Sequence, residues 1–233
     1  MPLLSVIVPV YNEAGTIGQI LERIQAVDLD KEIVVVDDGS TDGTDRILRY
    51  TQGLNLKVIH HMTNRGKGAS VLTGLSHASG DFVIIQDADL EYDPNDYRVL
   101  MQPMQAAQAD IILGVRFTAS YQGLLLHRLG NRFLTSLVNI LFGVSLNDCF
   151  TCYTLMRRET FLVLSLSCQG FDIETEIVSK AIRRKLRILE VPVRYRPRSF
   201  SEGKKIRIKD GFWAAWGIIR LWLKTSARRE STL

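Results

Sequence analysis

Two carboxylates one residue apart, Asp87 and Asp89, carry the sharpest chemical signal in this 233-residue chain. They follow the apolar run Phe82-Val83-Ile84-Ile85, in the segment Gln86-Asp87-Ala88-Asp89-Leu90-Glu91. Alternate residues of an extended strand face opposite ways, but a turn just beyond the strand can bring both carboxylates to one ion. Hard cations such as Mg²⁺ take one or two carboxylates together with phosphate oxygens of a substrate. A calcium loop is excluded, because Tyr92 stands where that loop requires glycine and Arg98 where it requires a bidentate Glu. Two further polar clusters follow apolar runs: Pro9-Val10-Tyr11-Asn12-Glu13 and Asp37-Asp38-Gly39-Ser40-Thr41-Asp42-Gly43. The second alone reads as a capped turn. Three acidic clusters at three strand ends are a different matter, since converging carboxylates repel unless a cation neutralises them. Neither a Walker lysine loop nor a Gly-x-Gly-x-x-Gly after the first strand is present, so ATPase and dinucleotide-dehydrogenase readings lose their main support.

The elements that must position these clusters alternate between two periods. Apolar runs at residues 3–10, 33–36, 56–59, 82–85 and 111–113 suit strands buried on both faces. Between them, Ile17, Ile20, Leu21, Ile24 and Val27 have amphipathic-helix spacing, as do Val71, Leu72, Leu75 and Ala78, and then Tyr97, Leu100, Met101 and Met104. A short helix over 42–50 starts behind Thr41 or Asp42 as cap. Strand–helix alternation predicts an α/β fold with a doubly wound, parallel sheet and right-handed crossovers. In such sheets ligands bind beyond the carboxyl ends of the strands, which is where all three polar clusters fall. Later in the chain, 124–142 reads as an apolar, poorly amphipathic helix with Arg128 and Arg132 embedded, and 171–184 as another helix. Residues 189–195 read as extended, and 211–228 as a last helix with Phe212, Trp216, Ile219 and Leu223 on one stripe.

Composition is that of an ordinary globular domain, with 46% hydrophobic and 23% charged residues. The net charge of +4 hides an asymmetry. From Lys180 to Leu233 there are 16 Lys+Arg against 4 Asp+Glu, a balance of +12, which leaves 13 against 21, or −8, in Met1 to Ser179. A basic end on an acidic body suits an anionic partner such as a phosphate, a nucleic acid or a membrane surface. With no nucleic-acid motif visible, that partner is not expected. No stretch reaches the roughly 20 apolar residues of a membrane span. The Trp-rich last helix, with Lys224, Arg228 and Arg229, can lie in a membrane interface or pack on the sheet. Three cysteines are too few for a disulfide scaffold and, with no signal peptide read at Met1–Ser5, suit a reducing, cytoplasmic setting. Cys149-Phe150-Thr151-Cys152 has redox spacing but not a redox context. His60-His61 reads as a surface pair, Lys67 as a phosphate or base contact or a solvated loop lysine, and Glu174 and Glu176 as partners for Arg183 or Arg184.

Taken in order, the motifs resemble those of family 2 glycosyltransferases with the GT-A fold, and most nearly the polyprenyl-phosphate, dolichol-phosphate mannosyltransferase-like branch. The resemblance is carried by Pro9-Val10-Tyr11-Asn12-Glu13, Val36 to Gly43, Asn64-Arg65-Gly66-Lys67-Gly68 and Gln86 to Pro94. Gly130 to Thr135, Thr151-Cys152-Tyr153, Val191 to Tyr195 and Glu202-Gly203-Lys204-Lys205 extend it over nearly the whole chain. It implies one GT-A domain over 1–233, in which 1–115 holds a nucleotide-sugar donor and 116–233 holds the acceptor.

The same resemblance implies roles for single residues. Pro9, Tyr11, Glu13, Val36 and Asp38 would line the base and ribose, and Asp87, Ala88 and Asp89 would meet the ribose and the metal–diphosphate. A Mg²⁺ or Mn²⁺ ion would be held by Asp87, Asp89 and Glu91, the last standing where this branch commonly has Gln. Arg198 and Lys204 would close over the diphosphate. Asp89 and Arg116 would act at the reacting centre, and Arg116, Arg128 and Arg132 would hold a polyprenyl phosphate at the cytoplasmic face of a membrane. The course would be one in-line displacement with inversion of a GDP- or UDP-hexose. A lipid phosphate needs no general base, whereas a sugar hydroxyl would, with Asp148 as first candidate. Thr154 departs from the lysine often found after Cys-Tyr in this branch.

Overall fold

The computed structural model describes residues 3–51, 55–116, 125–170, 172–198 and 214–223. Seven strands form one sheet: β1 (Leu4–Val10), β2 (Lys31–Asp37), β3 (Leu56–His60), β4 (Phe82–Ile85), β5 (Ile111–Val115), β6 (Thr154–Arg157) and β7 (Ile188–Pro192), in the order β3-β2-β1-β4-β6-β5-β7. All neighbours are parallel except β6, which is antiparallel to both β4 and β5. The helices are α1 (Ile17–Ala26), α2 (Thr44–Tyr50), α3 (Lys67–His77), α4 (Tyr97–Gln105), α5 (Leu125–Phe142), α6 (Arg158–Leu164) and α7 (Ile173–Arg183). A 3₁₀ turn at Pro94–Asp96 leads into α4, and residues 214–223 are helical.

Period-two alternation sorts the strand side chains into two apolar layers. Val6, Val8, Ile33, Val35 and Ile84 join Ile17, Ile20 and Ile24 of α1 and Leu100 and Met104 of α4. Ile7, Val83, Ile85, Ile111 and Leu113 join Val71 of α3, Val138 of α5, Phe161 of α6 and Ile177 of α7. β1, β2, β4 and β5 are therefore covered on both faces, as their continuous apolar runs require, whereas the edge strands β3 and β7 are partly exposed. Full burial of each such side chain contributes about 1.5–3 kcal/mol, so these layers hold the sheet rim rigid enough to present polar groups.

Two features differ from the sequence reading. β6 and α6 were not legible: a four-residue strand with Thr154 and Arg157 at its ends runs straight into a seven-residue helix, and no Gly or Pro separates them, so neither period is bounded. Their presence makes the sheet mixed rather than wholly parallel. The second difference is α5, which buries Thr135 and Val138 yet leaves Leu129, Phe133 and Ile140 exposed. It is amphipathic in packing while apolar on both sides, which a hydropathy pattern cannot display. In the last helix Ile218 is fully buried in the second layer, while Trp216 and Leu223 of the expected stripe are exposed. Phe212 and the rest of that helix lie outside the described residues.

Candidate active site

The strand order reverses direction at β1, with β2 on one side and β4 on the other, so the polar ends of β1, β2 and β4 share one rim. Loops tie that rim together. Asn12, in a left-handed conformation, donates its N–H to Ser40 Oγ at 2.9 Å and accepts from the Thr41 N–H through Oδ1 at 2.8 Å. The Glu13 and Ala14 N–H groups donate to Thr44 Oγ1 and Asp42 Oδ2 at 2.9 and 3.0 Å. Asp42 also accepts from the Thr44 N–H, but the N-cap of α2 is Gly43, so the expected cap at Thr41 or Asp42 falls one or two residues early.

The paired aspartates after β2 serve the loop scaffold. Asp37 Oδ1 accepts from the Ser40 N–H, and its Oδ2 pairs with His60 Nδ1 at 3.1 Å. Asp38 is almost wholly buried and accepts from the N–H groups of Arg65 and Gly66 at 2.9 and 2.8 Å. His61 Nδ1 adds a third contact at 2.7 Å, and its other ring nitrogen meets Thr73 Oγ1. His61 is thus buried and structural, not part of a surface pair. Asp38 pins the loop before α3, and its two oxygens are already engaged. Pro9 and Val36 are register partners inside the sheet and are buried, as is Ala88, which packs in the first apolar layer. Of the expected nucleoside-lining residues, Tyr11 is the open one, at 39% exposure.

Beyond β4 the carboxylates are each met by a different partner. Asp87 Oδ1 lies 2.8 Å from Lys67 Nζ. Asp89 Oδ1 accepts from the Glu91 N–H, and its Oδ2 accepts from Arg198 Nη2 at 3.3 Å. Arg198 also donates to both Glu13 oxygens, at 3.0 and 3.3 Å, so one guanidinium bridges the ends of β1 and β4. Glu91 accepts from the Tyr195 hydroxyl at 2.5 Å and from the Arg198 N–H at 2.8 Å, while its carbonyl accepts from the Arg196 N–H. It anchors the segment after β7 rather than facing a metal position. Among the described residues no three His, Cys, Asp or Glu side chains form a ready-made metal site. Asp87, Asp89 and Glu91 are therefore not a preformed three-carboxylate cage. Asp87 and Asp89 still fit Mg²⁺ or Mn²⁺, since their donors are all hard oxygens and substrate phosphates can complete the shell.

Electrostatics separates the two aspartates. Burial, and then the neighbouring charges of Asp87 and Glu91, push the Asp89 carboxyl up to about 7 against the opposing pull of Arg198. Asp87 moves the other way: burial opposes its charge, but Lys67, the Cys152 thiol and Arg198 together hold it below the usual carboxylate range. Burial, and then Asp87, keep the Cys152 thiol well above its ordinary value. Cys149 is pushed up to about 12, chiefly by burial, and both cysteines are free, so this pair has no thiolate for redox work.

Across the rim, Arg116 follows β5 and is held by Asp148, Nε to Oδ2 and Nη2 to Oδ1, both at 2.8 Å. Asn131 of α5 donates to Asp148 Oδ1 at 3.0 Å and accepts from Arg116 Nη2 at 3.3 Å. The guanidinium stacks on Tyr195, 5.4 Å from the ring centroid. Asp148 has no exposed surface, and Glu190 in turn receives the Asn147 and Asp148 N–H groups. On α5, Arg128 is half-buried and Arg132, one turn on, is exposed. Lys204 lies outside the described residues. Sequence reasoning missed the roles of Asn131, Tyr195 and Glu174; the first two are in recognised motifs, but only tertiary contact shows what they touch.

An acidic rim at the switch point of a mostly parallel sheet, faced by arginines, is the arrangement expected of the GT-A fold. Over 96% of its length the chain superposes, with a TM-score of 0.74 and 22% identity, on 79% of glucosyl-3-phosphoglycerate synthase from Mycobacterium tuberculosis, solved with Mn²⁺, UDP and glucosyl-3-phosphoglycerate. The glycosyl transferase family 2 model matches residues 5–163, and the chain belongs to that family. It is 30% identical over 234 residues to glycosyltransferase AglJ of Haloferax volcanii, covering 99% of this chain and 74% of that one. It is also 30% identical over 208 residues to undecaprenyl-phosphate 4-deoxy-4-formamido-L-arabinose transferase of Edwardsiella ictaluri, covering 86% of this chain and 62% of that one.

Proposed function

We propose that this chain is an inverting hexosyltransferase that moves a sugar from a GDP- or UDP-sugar to a polyprenyl phosphate, with Mg²⁺ or Mn²⁺, at the cytoplasmic surface of a membrane. The observation that carries the reading is the state of Asp148. The carboxylate nearest the expected acceptor side is fully buried and chelates Arg116, with Asn131 on the same oxygen. It is not available to take a proton from a hydroxyl. What the acceptor half offers instead is cations: Arg116, with Arg128 and Arg132 along α5. That suits a nucleophile that brings its own ionised oxygen, as a phosphate monoester does near pH 7. The undecaprenyl-phosphate acceptor in the name of the Edwardsiella relative supports the same choice.

The residues divide the work as follows. Tyr11 and Glu13 border the nucleoside and ribose, with Asp87 at the ribose edge. Asp89, with Asp87 beside it, would hold a divalent cation, which would supply positive charge against the leaving diphosphate. Arg198 stands between Glu13 and Asp89 and adds a second cation there, with Lys204 assigned the same task from the sequence pattern. Arg116, fixed by Asp148, orients an acceptor phosphate oxygen for attack on the anomeric carbon. The new C–O bond forms as the bond to the diphosphate breaks, and its electron pair leaves with the nucleoside diphosphate, inverting the centre. Exposed Leu129, Phe133 and Ile140 on α5 form a helical-spacing stripe, and Trp216 and Leu223 add to the apolar surface; both support contact with a bilayer. No helix among the described residues is long and apolar enough to cross a membrane.

Labelled GDP-mannose and UDP-glucose, each offered with and without polyprenyl phosphate and EDTA, test the reading. Label should enter the organic phase only with lipid phosphate and free metal. Label recovered solely in a water-soluble product would overturn the acceptor assignment.

A further inference from the structure

Lys67 sits in the middle of the site yet belongs to none of the roles above. Its ammonium lies 2.8 Å from Asp87 Oδ1 and 2.8 Å from Glu174 Oε1, with only a tenth of its side chain exposed. The contact to Glu174 is a close ion pair whose angle falls short of a directed hydrogen bond. The three residues come from the first turn of α3, the end of β4 and the first turn of α7. Their meeting is built into the backbone. Gly66, at φ 93°, and Gly68 pass so close to the carbonyls of Gln169 and Cys168 that a Cβ on either would collide. The Gly68 and Ala69 N–H groups donate to the carbonyls of Gly170 and Gln169 at 3.2 Å. α3 is thereby clamped to the segment that leads into α7.

Charge gives this arrangement a purpose. A lysine paired with Asp87 alone would largely neutralise it, and a neutralised carboxylate is a poor partner for a cation–diphosphate. Glu174, itself 6% exposed, shares that ammonium and returns negative field to Asp87. Glu176, two residues on, is excluded from this role because it pairs with Lys180 and caps the Ser167 and Cys168 N–H groups. We propose that Glu174, acting through Lys67, is a positioning residue that fixes the orientation and effective charge of Asp87, and so sets the affinity for the metal-bound nucleotide from the acceptor half of the chain. The proposal rests on the reading of Asp87 as a donor and metal contact. Burial alone would strip the proton from Lys67, but Asp87, Cys152 and Glu174 more than offset it and hold the lysine firmly charged.

The test is calorimetric titration of Mn²⁺ with UDP, and in parallel with GDP, into wild type, Glu174→Gln and Lys67→Arg, alongside donor KM and kcat. Glu174→Gln keeps an acceptor for Lys67 and removes one charge. It should weaken Mn²⁺–nucleotide uptake about 10-fold, the usual size for a residue supporting a metal ligand, and raise donor KM more than it lowers kcat. Lys67→Arg, which keeps the positive charge and can still span both carboxylates, should leave uptake within about 3-fold of wild type. If Glu174→Gln does not fold, Glu174→Asp, which keeps the charge but withdraws it from Lys67, should weaken uptake in the same direction. Wild-type uptake left unchanged by the Glu174 variant would overturn the positioning role and leave the function standing. A wild type that takes up neither nucleotide with Mn²⁺ would overturn the function and this role together.

Discussion

Asp89 is a carboxylate that the fold makes hard to ionise. An unfolded aspartate titrates near 3.9, whereas burial and the charges of Asp87 and Glu91 raise Asp89 to about 7. The folded state therefore keeps a proton that the unfolded chain has released across that interval. Linkage then requires that this group's contribution to stability be full below about pH 4 and be lost as pH rises through about 7. Urea midpoints of the metal-free protein, followed from pH 4 to 8 in EDTA, should carry this downward component; Asp89→Asn should flatten it and Mn²⁺ should offset it at the upper end. A slope identical in wild type and Asp89→Asn would remove Asp89 from the titrating groups. The same side chain should matter to turnover. Asp89→Ala is expected to lower kcat by about 10²–10³-fold or more, with the far-UV spectrum intact, because the cation that would offset the leaving diphosphate loses a carboxylate ligand. Near-normal rates in that variant would refute its role. The aspartates after β4 were legible from sequence because acidic residues packed at a strand end need a counter-charge. Their counter-charges were not: Lys67 and Arg198 are 20 and 109 positions from Asp87 and Asp89, and only the folded chain brings them to contact.

At the scale of elements, strands with continuous apolar runs and helices with clean 3.6 spacing were readable to within a few residues. β1, β2, β3, β4 and β5 all fall at the predicted apolar runs, though β3, at the sheet edge, is half-exposed rather than buried on both faces. β6 and α6 escaped because they run together with no Gly or Pro between them, so neither period is marked off; β4 and α2 are as short but stand between turn residues. α5 escaped differently: its element type was plain, but apolar residues on both its sides hide which side is buried. The structure assigns the outward side to Leu129, Phe133 and Ile140, with Ile140 79% exposed. Such a stripe is costly to leave in water and gains by entering a lipid interface. Phe133→Glu should therefore lower retention on vesicles containing anionic lipid while leaving the thermal midpoint nearly unchanged, as expected for an exposed site. Equal retention of this variant in a flotation assay would reject α5 as a membrane-facing element. On that reading the basic residues that follow Lys180 in the sequence would supply the accompanying attraction, at about 1 kcal/mol for each one close to an anionic leaflet.

Across the whole molecule, donor and acceptor functions assigned to 1–115 and 116–233 do not correspond to two blocks of sheet. β6, contributed by the later half, is inserted between β4 and β5 of the earlier half, and β7 pairs with β5 on its far side. Within the first 115 residues nothing else bridges β4 to β5 in the sheet order. A polypeptide ending at residue 115 would leave β4 with one bare margin and β5 with two, a template for intermolecular pairing. We expect such a fragment, expressed alone, to be insoluble or oligomeric on size exclusion, and to become soluble when co-expressed with 116–233. The interleaving bears on ancestry and engineering alike: an acceptor module cannot be exchanged between relatives by a single crossover near residue 115, because the recipient's central ladder would be unzipped. Chimeras that keep 1–164 together, and so carry the inserted strand with the donor rim it completes, are the grafts the topology permits.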